Sequence, residues 1–350
     1  TGAEQTITCV ILDPGGTPVG ETFGTGTLAC TLDQPVLWGV DQPYLYTAEI
    51  SLASGDTKSV RFGIRDAEFR GENGFFLNGR RLHLHGCNRH EAVPGIGNAM
   101  TPDLHRYDAE QLSDFGCNLV RLSHSPQHPA FLDACDELGI LVYAEIAAGQ
   151  SVRGGRWLRN ACRQMRRMIR RDRNHPCIIL WGLGNESRKR KPYLALTDIV
   201  RELDPARATI YAENHIYRGR REHTLEIPDV FGVNYEMKRL DEARDVSRNG
   251  AVLVSECASW PTPRGDREAE VGQIHHIRNA WDTIGNRPFV AGFTLWCFAD
   301  YPTLRKQRYT RYSGMTDAWR VPKPGAWLMK ATYDPNPFVK VIADWGRDGP

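Results

Sequence analysis

Apolar and polar residues alternate along the first part of the chain. The segments TITCVIL, YLYTAEISL and KSVRFGI place an apolar side chain at about every second position, and DPGG, GTG and SGD separate them. A period of two predicts half-buried strands, and clusters of Gly, Pro and Asp predict the turns between them. Residues 1–70 are therefore predicted to form an all-β domain, shorter than the roughly 100 residues of a complete immunoglobulin-like sandwich.

The pattern changes after residue 70, where short apolar segments alternate with longer stretches in which apolar residues recur at helical spacing. This alternation predicts βαβ units and a parallel sheet. The predicted strands are LHLHGCN, NLVRL, ILVYAEI, CIILWGL, ATIYAEN, DVFGVN, AVLVSE and VAGFTLW. Eight such units favour a closed barrel. The predicted fold class is α/β, with a (β/α)8 TIM barrel over residues 71–350 preceded by a partial immunoglobulin-like β-sandwich over residues 1–70.

Two helices of the barrel region carry clear signals. Thr101, Pro102 and Asp103 supply a capping residue, a proline at the first helical position and an early acid. Residues 154–173 carry many arginines around an apolar stripe of leucine, alanine, methionine and isoleucine. The stripe predicts an outer barrel helix whose charged face is solvated, in preference to a helix that binds nucleic acid.

The bulk composition excludes several classes of protein. With 41% hydrophobic and 25% charged residues, the chain resembles an average globular protein and not a collagen-like, disordered or coiled-coil one. A formal net charge of +2 gives no concentrated positive surface for nucleic acid. No apolar run approaches the roughly 18 residues of a membrane helix. The nine cysteines never form a C-x-x-C spacing, so zinc and thioredoxin-like sites lack support and a reduced, cytoplasmic setting is expected.

Candidate chemistry lies at the strand ends, because the active site of a (β/α)8 barrel forms at the C-terminal ends of its strands. Glu186 and Glu256 end the fourth and seventh predicted strands, which face one another across the barrel. Glycosidic cleavage needs one carboxyl that is protonated and another that is ionised. Asn185 ends the fourth strand together with Glu186, and the polar residues at the ends of the other strands are Asn88, Arg89, His90, Glu91, Arg121, His124, Glu145, Glu213, Asn214, Asn234, Tyr235 and Trp296. Their amide, phenol and indole groups suit the hydroxyls and the apolar face of a sugar.

The run DRNHPCIILWGLGNE, which ends at Glu186, resembles position for position the acid/base motif of glycoside hydrolase family 2, the β-galactosidase and β-glucuronidase family. FFLNGRRLHLHGCNRHE, NLVRLSHSPQHPAFLDACDELGILVYAEI, VLVSECA and FTLWCFADY are similar to other barrel segments of the family. VLWGVDQPYLYTAEI and VRFGIRD resemble the end of its immunoglobulin-like domain. The resemblance covers residues 36–330.

This resemblance implies a retaining exo-β-glycosidase with Glu186 as acid/base and Glu256 as nucleophile. Asn185 would bind the sugar 2-hydroxyl, and Tyr235 would hydrogen-bond the nucleophile. The other substrate-binding residues carried over are Arg121, His124, Trp296, His90 and Glu145. The last two are open to a second interpretation, as members of buried structural pairs.

The chain departs from the family pattern at three points. Ser125 stands where the family often has a tyrosine before Pro126, and Leu122 replaces a small residue after Arg121, so the wall near His124 is expected to differ. The family's N-terminal sugar-binding jelly-roll domain is expected to be missing, together with the start of the sandwich. These departures fit either a reduced member of the family or a fragment whose site is completed elsewhere.

The sugar is less determined than the reaction. Family glucuronidases carry an Asn-x-Lys pair that holds the sugar carboxylate, whereas Arg311 and Ser313 stand at the corresponding positions here, which favours a β-galactosidase. Basic residues cluster in three predicted loops of the catalytic face: Arg188, Lys189, Arg190 and Lys191; Arg218, Arg220 and Arg221; and Arg305, Lys306, Arg308 and Arg311. Guanidinium groups bind carboxylate and sulfate in a fork, so a uronate- or sulfated-glycan-directed β-glycosidase is the alternative. A solvated rim would account for the same charges.

The remaining expectations concern cofactors and partners. GLGNES and GIGNAM do not form a G-x-G-x-x-G turn, so no organic cofactor and no resident metal are expected, although the resemblance leaves open a divalent cation such as Mg²⁺ beside Glu186. The expected partner is an oligosaccharide or β-glycoside substrate, without nucleic acid or membrane, and the chain is compatible with a homo-oligomer. A non-catalytic carbohydrate-binding module is a further alternative, which the retention of both acids disfavours.

Overall fold

The N-terminal part of the chain forms one antiparallel sheet. The computed structural model of the protein describes residues 5–150, 152–304 and 309–341. The sheet has the order β2-β1-β3-β4. Its strands are β1 (Ile7–Leu12), β2 (Pro18–Gly24), β3 (Tyr46–Leu52) and β4 (Thr57–Phe62). The predicted partial sandwich is thus represented by a single four-stranded sheet.

A second, smaller sheet joins this module to the barrel. It consists of β5 (Ala67–Phe69), β6 (Phe75–Leu77) and β7 (Arg80–Arg81). Because β5 pairs with β6, the small sheet spans residue 70, where the sequence predicts a domain boundary. Gly74 has a φ of 81°, and a Cβ there would lie 2.9 Å from the backbone oxygen of Pro288, so glycine permits this close approach.

Eight parallel strands close into a barrel in the order β10-β11-β12-β13-β14-β15-β8-β9. They are β8 (Leu84–Arg89), β9 (Leu119–Leu122), β10 (Leu141–Glu145), β11 (Ile178–Asn185), β12 (Ala208–Glu213), β13 (Val230–Asn234), β14 (Val252–Cys257) and β15 (Val290–Leu295). The eight strands predicted from the sequence are confirmed, and with them the barrel. Most of their residues are buried, as expected for strands covered on both faces.

Helices cover the outside of the barrel. They are α1 (Pro102–Asp114), α2 (Pro129–Leu138), α3 (Gly155–Asp172), α4 (Arg190–Leu203), α5 (Ile216–Arg221), α6 (Leu240–Val246), α7 (Arg267–Ile284) and α8 (Pro324–Tyr333). Short elements complete the fold: the 3-10 helices Gly71–Asn73 and Met237–Arg239, and the strands β16 (Tyr301–Pro302) and β17 (Thr310–Arg311). The helices predicted at Pro102 and over 154–173 are confirmed as α1 and α3. Among the described residues, none of these helices has the length and apolarity to cross a membrane.

The N-terminal module docks against the start of β11. Trp38 is fully buried, and its indole nitrogen donates to the backbone oxygen of Asp136 at 2.8 Å. The guanidinium of Arg65, just after β4, donates to the backbone oxygens of Pro176 and Ile178. The Asp136 carboxylate accepts the backbone N–H of Cys177 at 3.0 Å. The module and the barrel therefore both fix the beginning of the strand that ends at Asn185.

Candidate active site

A cavity of about 550 Å³ opens at the C-terminal ends of the barrel strands. Its lining residues are His124, Gln150, Asn185, Glu186, Asn214, Tyr235, Glu256, Ser259, Trp296, Tyr301, Thr303 and Arg311. Six of the nine residues that the sequence predicts for the site lie in this lining. The other three, Arg121, Glu145 and His90, lie outside it. The sequence therefore predicts residues that the fold brings to one place.

Arg121 lies beneath the cavity floor and is fully buried. Its Nη1 donates to Glu256 Oε1 at 2.7 Å, and its Nε and Nη2 donate to Glu145 Oε2 at 3.0 and 2.8 Å. Nη2 also donates to Asn185 Oδ1 at 2.9 Å, and Nη1 to Asn88 Oδ1 at 3.2 Å. One guanidinium thus connects four side chains from strands β8, β10, β11 and β14. These contacts hold the four side chains in place, and Arg121 itself does not line the cavity.

Glu145 is the second fully buried member of this network. Its Oε1 lies 2.9 Å from Nδ1 of His124, whose ring lines the cavity. Burial raises the pKa of Glu145, but Arg121 and then His124 outweigh burial and lower this pKa to about 2. A carboxylate is a hydrogen-bond acceptor, and this one faces Nδ1 of His124. Glu145 therefore orients His124, and its predicted contact with substrate has no counterpart in the cavity lining.

Glu256 is buried at the end of β14, with 3% of its surface exposed. Burial raises the pKa of its carboxyl above 4.5, Arg121 and His124 lower it, and Glu186 raises it again. The net direction is upward. Glu186 lines the same cavity as Glu256, and the nearby carboxyl contributes to this upward direction.

Glu186 follows β11 and has a different set of neighbours. Its Oε1 accepts the Nδ2 donor of Asn234 at 3.1 Å, and its Oε2 accepts the Nε2 donor of Gln150 at 2.6 Å. Both neighbours are neutral amides, and within the described part of the chain Glu186 forms no ion pair, unlike Glu256. The two acids therefore differ in environment, since one is held by neutral amides and the other by a buried guanidinium.

The backbone is strained where it enters the cavity. Glu186, Tyr235 and Ala258 have φ values of 49°, 64° and 55°, in the left-handed region that non-glycine residues rarely adopt. Each of these residues directly follows the last residue of a barrel strand. Such conformations cost roughly 1–3 kcal/mol each and persist only where surrounding contacts enforce them. The surrounding network thus fixes the directions of these side chains.

Aromatic rings form one wall of the cavity. Trp296 stacks on His124 with ring centres 5.4 Å apart, and its indole nitrogen donates to the Tyr301 hydroxyl at 3.2 Å. His90 packs behind them, 5.2 Å from Trp296 and 4.1 Å from Tyr301. Burial, then His124 and Arg121, lower the pKa of His90 to about 3, so its ring is neutral at ordinary pH. His90 therefore supports the aromatic wall from outside the cavity lining.

Several lining residues were not among the predicted site residues. Asn214, like the buried Asn234 behind Glu186, ends a predicted strand and so carried the available positional signal. Tyr301 ends the FTLWCFADY segment. Gln150, Ser259 and Thr303 lie in loops, where the sequence offers no period that places a side chain on the cavity.

The three basic segments predicted to be loops are partly helical, since Arg190 and Lys191 begin α4 and the segment 218–221 lies in α5. Their charges are compensated in different ways. Arg188 pairs with buried Glu213 at 2.6 Å, and Arg190 pairs with Glu226 at 2.9 Å. Further ion pairs join Arg220 to Glu242 and Arg221 to Glu222. The basic residues without an ion pair, within the described part of these segments, are Lys189, Lys191, Arg218 and Arg311. Arg305, Lys306 and Arg308 lie outside the described residues.

Arg311 is the basic residue of these segments that lines the cavity. Its Nη2 donates to Ser259 Oγ at 2.7 Å, and its Nε donates to Ser313 Oγ at 3.0 Å. Both partners are neutral hydroxyls, so the guanidinium charge is not compensated by a carboxylate within the described chain.

One group of described residues has metal-ligand spacing, and it lies away from the cavity. Asp133, Asp136 and His175 place potential ligand atoms within 4.8 Å of one another. Asp136 and His175 already bind each other at 2.6 Å, near the start of β11 at the opposite end of the barrel. This group is an anchor for the strand and takes no part in the cavity.

We expect Arg121→Gln to lower the free energy of unfolding by about 3–5 kcal/mol, because the substitution leaves two buried carboxylates without their cation. Urea unfolding followed by tryptophan fluorescence measures the change. Arg159→Gln, on the exposed face of α3, is the control and should change stability by less than about 0.5 kcal/mol. Equal stabilities of the two variants would contradict the central position given to Arg121.

Comparisons with known proteins agree with this architecture. The model "Glycosyl hydrolases family 2" matches residues 4–65, and the model "Glycosyl hydrolases family 2, TIM barrel domain" matches residues 68–250. A β-galactosidase of Thermoanaerobacterium thermosulfurigenes is 34% identical over an alignment of 332 positions, and the match covers 89% of this chain and 46% of that protein. A β-glucuronidase of Bacteroides fragilis is 29% identical over an alignment of 359 positions, and the match covers 92% of this chain and 51% of that protein.

Solved structures give the same result. The crystal structure of a β-glucuronidase from Parabacteroides merdae, with glycerol in its active site, superposes with a TM-score of 0.83 at 26% identity. The superposition covers 96% of this chain and 49% of that one. The chain thus spans about half the length of these relatives. Since the barrel model alone matches more than half of the chain, the resemblance read from the sequence is confirmed and the protein belongs to glycoside hydrolase family 2.

Proposed function

We propose that the protein is a retaining exo-β-glycosidase that hydrolyses a terminal β-linked sugar. The observation that carries the proposal is that Glu186 and Glu256 line one cavity in different environments, one held by neutral amides and the other by a buried guanidinium. An ionised and a protonated carboxyl on the two sides of one glycosidic bond form the catalytic pair of a glycosidase. The exo mode is what the resemblance to the family implies.

In the first step, Glu256 attacks the anomeric carbon while Glu186 donates its proton to the leaving oxygen. The C–O bond to the aglycone breaks, and a covalent glycosyl-enzyme forms. In the second step, Glu186 removes a proton from water, the water oxygen attacks the anomeric carbon, and Glu256 leaves as a carboxylate. Two inversions give net retention, and protein side chains carry every proton.

The neighbouring groups have roles that fit this sequence. Arg121 favours the ionised form of Glu256 that attacks in the first step. The oxygen of Asn185 already accepts from Arg121 and Asn234, so its amino group is the donor that it can offer to a sugar hydroxyl. The pKa of the Tyr235 hydroxyl is raised by burial and then by Glu256, so the phenol keeps the proton that it can donate to the nucleophile. Trp296 offers an aromatic surface to the sugar C–H groups.

For the sugar, we place β-galactosides first, because Arg311 and Ser313 replace the Asn-x-Lys pair of family glucuronidases. Uronides are the second candidate, and one observation favours them. Arg311 lines the cavity with a charge that no carboxylate compensates within the described chain, and a guanidinium can bind a C6 carboxylate in a fork. The similar proteins include both activities, a β-galactosidase and a β-glucuronidase.

We expect Glu186→Gln to lower kcat for glycosides with poor leaving groups by roughly 10²–10⁴-fold, because these depend on proton donation. Activated dinitrophenyl glycosides should be much less affected. Glu256→Ala should abolish both activities, because it removes the nucleophile. Initial rates with both substrates measure the effect, and proton NMR of the first-formed product tests retention. An inverted product, or equal loss with both leaving groups in Glu186→Gln, would contradict the assignment.

The acid limb of the pH profile should report Glu256. Its pKa is raised above 4.5 by burial, and only the ionised carboxyl attacks, so kcat/KM should fall as pH decreases through a value above 4.5. His124→Asn removes a group that lowers this pKa, and we expect it to move the limb to higher pH. His223→Asn, at an exposed histidine outside the cavity, is the control and should leave the limb in place. The measurement is kcat/KM between pH 3.5 and 8, and a limb below 4.5 would contradict this origin.

A panel of p-nitrophenyl β-galactoside, glucoside, mannoside, glucuronide and galacturonide identifies the sugar, with Glu256→Ala as the blank. We expect the galactoside to be hydrolysed fastest and Arg311→Gln to leave its kcat/KM within about twofold. If a uronide is fastest, Arg311→Gln should lower kcat/KM for that substrate by about 10–100-fold, because a charged hydrogen bond contributes roughly 1.5–3 kcal/mol. Fast uronide hydrolysis that Arg311→Gln leaves unchanged would exclude Arg311 as the carboxylate-binding residue.

A further inference from the structure

A second cavity, which we call the basic cavity, lies between the starts of α3 and α4. Its volume is about 440 Å³. Its principal lining residues are Val152, Leu158, Pro192, Arg153, Lys189 and Lys191. It therefore has apolar walls and three cationic side chains. A site of this kind suits a ring-shaped ligand that carries a negative charge.

The basic cavity lies beside the proposed acid/base residue. The backbone N–H of Val152 donates to the hydroxyl of Ser187 at 3.2 Å, and Ser187 directly follows Glu186. Two residues before Val152, Gln150 donates to Glu186 itself. The segment after β10 thus contains both Gln150, which contacts Glu186, and residues that line the basic cavity. The segment after β11 contains Glu186 itself and further lining residues.

The three cations are available to a ligand. Arg153, Lys189 and Lys191 are exposed, and within the described part of the chain they form no ion pair. Their neighbours Arg188 and Arg190, in contrast, are compensated by Glu213 and Glu226. From the end of β11 to the first turn of α4, arginines with an ion pair thus alternate with lysines that form none within the described part of the chain, and these lysines line the basic cavity.

The position of the proposed acid/base residue indicates which part of the substrate would lie nearest to the basic cavity. The acid donates its proton to the leaving oxygen, so the leaving group lies on the side of Glu186. We propose that the basic cavity binds the leaving-group side of the substrate and selects an acidic saccharide unit there, with a carboxylate or sulfate bound by Arg153, Lys189 and Lys191. This inference rests on the proposed glycosidase function, and it concerns the aglycone, whereas Arg311 concerns the terminal sugar.

The test compares disaccharides that share one terminal sugar, the one hydrolysed fastest in the aryl glycoside panel, and differ in the second unit: glucose, glucuronic acid or glucose 6-sulfate. We expect the two acidic substrates to have a kcat/KM about tenfold above that of the neutral one at low salt. The variant Arg153→Gln/Lys189→Gln/Lys191→Gln should lose this preference and leave p-nitrophenyl glycoside hydrolysis within about twofold. A preference for only one of the acids identifies the anion.

The matched control is Arg218→Gln/Arg220→Gln/Arg221→Gln, which removes three positive charges from helix α5. It should keep the preference. Equal rates for acidic and neutral disaccharides, or equal loss in both triple variants, would overturn the inference and leave the glycosidase proposal standing.

A binding measurement separates the two proposals. Glucuronic acid, glucose 6-sulfate and glucose are titrated by calorimetry into the Glu256→Ala protein, with and without the Arg153/Lys189/Lys191 substitutions. We expect only the acidic sugars to lose affinity when the three cations are removed. Charge-selective binding without any hydrolysis by the unsubstituted protein would refute the glycosidase and retain an acidic-saccharide site, whereas affinities unchanged by the substitutions would overturn that site.

Discussion

The arrangement of the cavity depends on one buried cation. Arg121 has no exposed surface, so its charge is tolerable only while carboxylates and amide oxygens compensate it. Those partners come from four different barrel strands, which the guanidinium fork holds in a fixed register. The same contacts aim Glu256 at the cavity and, through Glu145, orient His124. Stability of the barrel end and geometry of the site are therefore properties of one network.

The two acids also show how side chains of the same type acquire different surroundings at one end of a barrel. Glu256 sits at the end of a strand, buried and ion-paired. Glu186 sits one residue past its strand, in a left-handed conformation, among neutral amides. The difference arises from the position of each residue relative to the end of its strand. Loops beyond the strands can vary the surroundings of Glu186 while the strand network keeps Glu256 in place.

Much of the fold could be predicted because barrel strands have a strong apolar signal and their ends coincide with polar residues. The predicted site residues split by a physical criterion that the sequence does not contain. Arg121 and Glu145 are polar residues of strands, as Asn185 is, and their side chains point into the same barrel interior, but they are buried beneath the residues that line the cavity. Gln150 and Ser259 could not be predicted because loop conformation, not periodicity, brings them to the cavity.

Because the N-terminal module docks onto the start of β11, the two halves of the segment DRNHPCIILWGLGNE have different surroundings. Its first half, from Asp172 to Ile178, contacts Arg65 and Asp136 and lies at the far end of the barrel from the chemistry. Its second half ends at the acid. The segment therefore meets two separate structural requirements, one at the contact between the modules and one at the cavity. In a related chain without the N-terminal sheet, the amino-acid sequence of the first half could vary while that of the second half stayed the same. Sequence divergence confined to the first half of the segment would then indicate that the sheet had been lost.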